Sequence, residues 1–166
     1  MKLLYRASEH YFRAKTFHKK CDNIQDTLTI VKTEFGKTVA GFTHYKWNEV
    51  DGSLKDEDKK AFLLQLDLRE KYLPTTDTSL IFCNHAYGPT FGAGRDLYIA
   101  DKCNNNNSSC AFFPSTYNLE EPYQYSNGQE SYQAFSGAVK DQYFNVVEYE
   151  VFQVTFDENK EEEVKE

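Results

Sequence analysis

Apolar residues along this chain alternate with polar ones far more often than they recur at helical spacing, so the pattern predicts mainly strands. Thr27 to Thr33 and Thr38 to Trp47 flank the turn Glu34-Phe35-Gly36-Lys37, which reads as a β-hairpin. In its second strand Val39, Gly41, Thr43, Tyr45 and Trp47 share one face, and Ala40, Phe42, His44 and Lys46 share the other. A glycine at position 41 then marks either a close approach by another element or a bulge. Ala61 to Asp67 is a third strand with Phe62, Leu64 and Leu66 on one face. From Tyr143 to Phe156, Val147, Tyr149, Val151 and Gln153 oppose Val146, Glu148, Glu150, Phe152 and Val154. Both faces carry apolar groups, which predicts a central strand buried on both sides over part of its length. The expected core is a β-sandwich in which Leu28, Ile30, Phe42, Phe62, Leu64 and Val151 are buried.

One segment has helical spacing. Ser8 is a candidate N-cap, and from Glu9 onward Tyr11, Ala14, Phe17 and Cys21 recur at intervals of three and four, predicting an amphipathic N-terminal helix of about three turns. His18, beside that stripe, is expected to be a hydrogen-bonded helix-edge residue rather than a ligand or base. Asn48 to Lys60 is a polar exposed connection, Leu73 to Asp77 a turn, and Asn104 to Ser109 a turn-forming polar run. Ala111 to Asn118 reads as a short strand, Leu119 to Glu130 as a tyrosine-bearing loop, and Ser131 to Val139 fits neither period.

The rest of the chain is organised around Ser79 to Cys103. An apolar run (Leu80, Ile81, Phe82) precedes a loop holding Gly88, Pro89, Gly92 and Gly94, and a second β-like run follows from Asp96 to Asp101. Two strands joined by a glycine loop is the expected form. It is not a phosphate loop: Gly94 is followed by Arg95-Asp96 and β-favouring Leu97-Tyr98-Ile99, with no lysine-serine pair opening a helix.

The 166-residue length suits one domain, and an aromatic content of 16% with 12 Tyr and 13 Phe suits β-structure with half-buried tyrosines. Charge divides the chain at residue 156. Residues 157–166 hold six acidic and two basic side chains, −4 of the formal −7, and form an acidic C-terminal tail after a 1–156 domain. The remaining −3 carries no electrostatic footprint for nucleic acid, and the basic group Arg13, Lys15, Lys19 and Lys20 reads as one wet helix face. No signal peptide and no apolar run of membrane-spanning length occur, which predicts a cytoplasmic protein without membrane insertion. The four cysteines are then expected as free thiols.

Motifs for catalysis are missing: there is no G-x-S-x-G, no H-E-x-x-H and no Cys-x-x-Cys, so no metal site and no cofactor are expected. Cys83, next to Asn84 and His85, and Cys103, next to Lys102, are the candidate reactive thiols, with Cys83 on an apolar strand expected to be inert.

Taken together, LLYRAS (Leu3 to Ser8), Phe17-His18, LTIVKTEFGKTVAGFT (Leu28 to Thr43), AFLLQL (Ala61 to Leu66), GPTFGAGRDLYIAD (Gly88 to Asp101) and EYEVFQV (Glu148 to Val154) resemble the TLDc domain. This is the module of the oxidation-resistance and nuclear-receptor-coactivator-like proteins, and the likeness is greatest to single-domain, protist-type members. The resemblance implies two antiparallel sheets packed as a sandwich, a helix at the margin, and a part in oxidative-stress protection. It also implies a monomeric, non-enzymatic interaction module whose protein partners include peripheral-stalk and head subunits of the vacuolar proton-pumping ATPase (V-ATPase). Its motif residues fall on Gly41, Gly88, Gly92, Gly94 and Asp96, with Glu150 as candidate functional acid. Two other functions remain open at this point: a thiol-dependent antioxidant enzyme using Cys83 or Cys103, and a structural part of a cytoskeletal or ciliary assembly.

Overall fold

The computed structural model describes residues 1–48, 52–54, 60–75, 79–126 and 128–156. Two antiparallel sheets pack face to face. The larger runs β1(Lys2–Arg6), β13(Val146–Gln153), β2(Thr27–Thr33), β3(Thr38–Thr43), β5(Ala61–Gln65), β6(Glu70–Pro74) and β11(Tyr117–Asn118) from edge to edge. The smaller runs β12(Tyr143–Phe144), β10(Ser109–Cys110), β9(Leu97–Ala100), β8(Tyr87–Phe91), β7(Ile81–Cys83) and β4(Gly52–Leu54). Helix α1(Ala14–Cys21) lies at the margin against β1 and β8, and α2(Gln129–Ser136) sits near β3.

The hairpin forms as expected, but its burial has the opposite phase. Thr27, Thr29, Val31 and Thr33 of β2 and Ala61, Leu63 and Gln65 of β5 are buried, whereas Leu28, Ile30, Phe62 and Leu64 are only half-buried on the outer face. Of the six expected core residues, Phe42 and Val151 alone are buried. The inner layer explains this. Phe91 of the facing sheet occupies the space over Gly41, where an added Cβ would lie 2.4 Å from the ring, and Trp47 packs edge-on to Phe91. With large aromatics supplied from across the sandwich, the facing strands have room for threonine and glycine. The threonine hydroxyls are used: Trp47 Nε1 donates to Thr27 Oγ1 at 3.0 Å, and Thr33 Oγ1 donates to the Ser136 carbonyl at 2.9 Å.

Several elements depart from the sequence pattern. The N-terminal helix begins at Ala14, because Tyr11 (φ 57°) and Phe12 (φ 55°) break it from a 3-10 turn at Ser8–His10. Its first free N–H, that of Ala14, donates to Asp101 Oδ1 at 2.8 Å, a capping partner 87 positions away that Ser8 was expected to supply. His18 is buried rather than at the edge. Its Nδ1 lies 2.8 Å from Asp22 Oδ1, and its Nε2 meets the carbonyls of Asn84 and Tyr87 at 2.9 and 3.0 Å, tying α1 to the β7–β8 turn.

The expected turn at Leu73–Asp77 overlaps β6, and the Asn48–Lys60 connection contains β4, with most of the remainder outside the described residues. Of the expected Ala111–Asn118 strand only its end is β-structure, as β11, while residues 111–116 are irregular and β10 precedes them. Residues Gln129–Ser136, near the segment that fitted neither period, form α2. The closing strand is buried on one face only. A register shift between Val146 and Glu148 puts Val146, Tyr149 and Val151 inward, and Val147 is 55% exposed. The acidic tail lies outside the described residues.

The face assignment is directly testable. Leu63→Ala should lower the unfolding free energy by about 2–5 kcal/mol, and the half-buried neighbour Leu64→Ala by clearly less. Equal shifts of the denaturation midpoint in the two variants would show that the faces are assigned wrongly.

Candidate functional site

The glycine stretch is three strands rather than two. Gly88 and Pro89 lie inside β8, and a register shift between Tyr87 and Thr90 accommodates the proline, which has no N–H to donate to a ladder. Only Gly92 to Asp96 remains as the connection to β9, closed by the Arg95 N–H donating to the Gly92 carbonyl at 3.1 Å.

This corner surrounds a buried carboxylate. Asp96 is fully buried and accepts backbone N–H groups from Ser115 at 2.6 Å, Thr116 at 2.9 Å and Tyr117 at 3.2 Å. Gly92, at φ +82°, takes a conformation that side chains resist, and a Cβ there would fall 2.0 Å from Asp96 Oδ2. Gly94 lies as tightly under Ser115, and Gly88 under the Ile99 carbonyl. Ala93 N–H donates to Thr116 Oγ1, and Tyr117 OH donates to the Leu80 carbonyl at 2.6 Å. Because β9 belongs to one sheet and β11 to the other, the corner fastens the two sheets together at this end. Burial pushes the Asp96 carboxyl up to about 6, against the opposing effect of its N–H donors. All its donors are main-chain groups of the protein itself, so it acts as a structural clamp and not as a general base.

Glu150 is elsewhere, on the outer face of β13, with the Arg6 Nε 2.6 Å from its Oε1 and Glu9 joining the same guanidinium. Gly41 sits in the sandwich interior beneath Phe91. The motif positions are thus distributed: Gly88, Gly92, Gly94 and Asp96 share one corner, while Gly41 and Glu150 do not belong to it.

Cys83 is 5% exposed and Cys103 fully buried, in different strands and loops of the core. Burial raises the Cys83 thiol and pushes Cys103 up to about 12, with Asp101 and Glu148 adding to the effect at Cys103. Cys21 and Cys110 are likewise buried and raised, and all four cysteines are free thiols. A reactive cysteine needs the opposite environment, with access to solvent and a lowered pKa. Among the described residues, no group of three or more His, Cys, Asp or Glu side chains is placed to hold a metal ion, and no helix is long and apolar enough to cross a membrane.

What the sequence pattern does not single out is the outer face of the larger sheet. Leu3, Phe152, Leu28, Phe42 and Phe62 stand opposite one another on five adjacent strands, forming one apolar row. Ile30, Ala40 and Leu64 form a second row beside it. Phe42 and Phe62 stack with ring centroids 5.0 Å apart, and Phe156 packs edge-on to Phe42 while remaining 65% exposed. The available signal was the presence of apolar residues at both phases of β2, β3 and β5.

The family model for the TLDc domain matches residues 1–155. Comparison with curated proteins gave no match.

Two outcomes follow from these geometries. The folded-state pKa of Asp96 lies above its ordinary value near 3.8, so its contribution to stability is fully present below that value and is lost as pH rises through about 6. The stability difference between the native chain and Asp96→Asn should therefore be larger near pH 4 than at pH 8, by about 2 kcal/mol. A difference that is flat with pH would contradict the raised carboxyl. The thiols should react with Ellman's reagent slowly in the native protein, and all four should react after unfolding without reductant. Rapid native labelling of Cys83 or Cys103 would contradict their burial.

Proposed function

The chain belongs to the TLDc domain family, and we propose that it works as a non-enzymatic protein-interaction module that binds and regulates the vacuolar proton-pumping ATPase. The family is associated with oxidative-stress protection and protein interaction. The observation that carries the reading for this chain is the outer sheet face. Soluble proteins seldom leave a contiguous apolar surface uncovered unless something docks on it. Here five adjacent strands set Leu3, Phe152, Leu28, Phe42 and Phe62 in one outer row, of which Leu3 is exposed, Phe152, Leu28 and Phe62 are half-buried and Phe42 is buried. The buried thiols support the same reading, since oxidative-stress protection by direct peroxide chemistry would require a thiolate within reach of solvent. A cytoplasmic location fits such a partner and belongs to the same proposal.

Affinity capture from lysate with the native chain as bait should recover peripheral-stalk or head subunits of the proton pump. In cells, the Cys83→Ser, Cys103→Ser double variant should keep nearly all of its protection against peroxide. Capture of tubulin-associated proteins instead would move the assignment to a cytoskeletal role. Loss of protection in the double cysteine variant, with an unchanged melting curve, would move it to a thiol enzyme.

A further inference from the structure

Helix α1 buries Ala14, Phe17, His18 and Cys21 and turns Lys15, Lys19 and Lys20 to solvent, with exposed Arg13 at its N-cap. Lys102, exposed in the turn after β9, is brought beside the start of this helix, where its N–H donates to the Phe12 carbonyl at 2.8 Å. Arg13 stands between two hollows. One, of about 360 Å³, has Lys15, Thr16 and His85 in its lining; the other, of about 290 Å³, has Tyr11, Lys102 and Asn104.

The acidic residues around these cations already have partners. Asp101 accepts the Ala14 N–H at 2.8 Å and lies 3.7 Å from Arg13, and Asp22 Oδ1 lies 2.8 Å from His18 Nδ1. Glu9 shares Arg6 with Glu150, and Glu148 accepts the N–H groups of Ser8 and Tyr149. Lys15, Lys19, Lys20 and Lys102 make no ion pair among the described residues. Five cations, Arg13 included, thus stand against the two carboxylates of Asp101 and Asp22.

The helix itself gains nothing from this charge. Its first turn holds Lys15 beside the N-cap Arg13 and no acidic residue, the sign that the helix dipole disfavours, and Lys15 and Lys19 are like charges four positions apart on one line of the exposed face. Residues that break local rules without benefit to the fold are the mark of a surface kept for binding. What is offered is the solvent face and not the helix end, since Asp101 already takes the first N–H.

The occupant follows from the extent of the patch. A duplex or an anionic bilayer presents phosphates over a broad surface, and it would meet the acidic remainder of a chain whose formal charge is −7. An extended peptide touches the helix alone. Its carboxylates suit Arg13, whose guanidinium takes such a group through two parallel N–H donors. Tyr11, 82% exposed in the hollow it shares with Arg13, adds an aromatic ring for an apolar side chain of the same segment.

We propose that the solvent face of α1, extended by Tyr11 and Lys102, binds an extended acidic segment of a protein partner, with its carboxylates on Arg13, Lys15, Lys19 and Lys102. The helix is about 12 Å long, the length of about four extended residues, so a segment of about six reaches from Lys19 past Arg13. This adds a second contact surface to the interaction module and rests on that reading.

The probes are two labelled peptides of about six residues, one rich in glutamate and the other with glutamine at the same positions. Titrated into the ¹⁵N-labelled native chain, the glutamate peptide should shift amide resonances of Tyr11, α1 and Lys102 and leave those of β5 unmoved. By fluorescence anisotropy it should bind at least about tenfold tighter than the glutamine peptide, an advantage lost as salt rises from about 0.05 to about 0.3 M. Lys15→Glu with Lys19→Glu should remove that advantage with the melting temperature unchanged or raised, whereas Lys32→Glu on the larger sheet should leave it intact. Equal affinities for the two peptides, or a loss in Lys32→Glu as large as in the helix variant, would overturn the proposal. So would binding to phosphatidylserine vesicles or duplex RNA that is tighter than to the glutamate peptide and abolished by the helix variant. Movement of α1 resonances in the variant Glu161→Gln, Glu162→Gln, Glu163→Gln would assign the face to the chain's own tail and overturn it as well. Proton-pump subunits captured equally by the native chain and by the helix variant would sink this surface while leaving the interaction-module reading intact.

Discussion

The structure depends on one buried carboxyl group. Asp96 lies where β9 of one sheet meets the segment leading into β11 of the other, and three consecutive N–H groups, those of Ser115, Thr116 and Tyr117, converge on it. Burying a carboxyl is costly, and here main-chain donors offset part of that cost while burial still raises its pKa. The requirement propagates outward. Residue 92 has to be glycine to clear the Asp96 oxygen, Ser115 presses on Gly94, and Tyr117 reaches back to the Leu80 carbonyl. Residues that look like a binding loop are therefore neighbours of a clamp, and the surface of this end of the sandwich is fixed by what lies under it.

The second constraint is volume. Phe91 fills the space over Gly41, with Trp47 against it, so the interior faces of β2 and β3 are lined by threonine, valine and glycine and their bulkier residues face out. Thr29 Oγ1 and Tyr149 OH have no hydrogen-bond partner there among the described residues, which is the polar cost of that exchange.

Strand existence was readable from alternation at β2, β3, β5 and β13, because β2, β3 and β13 are rich in β-branched residues and β5 alternates Phe and Leu with its neighbours. Phase was not, since Leu28 and Thr29 both suit a strand and only the facing sheet decides which of them is covered. The strand containing Gly88 and Pro89 was hidden by residues that usually mark loops, and β6 by the Pro74 at its end. The start of α1 depended on Asp101, a partner no local window contains. Within the glycine corner, Gly92, Gly94 and Asp96 were identifiable, but the donors at 115–117 were not, because backbone N–H groups leave no trace in side-chain pattern.

The position of β13 between β1 and β2 carries a consequence for biosynthesis. The strand at Lys2–Arg6 has no neighbour in its sheet other than one that begins at Val146. At about 5–20 residues per second, a ribosome leaves that gap open for roughly ten seconds or more. During this interval both β1 and the far side of β2 are unpaired edges, each able to pair with a strand of another nascent chain. Premature termination before Val146 would make that state permanent, so loss of the last strand converts a continuous sheet into one with two extra adhesive edges rather than into a slightly smaller domain.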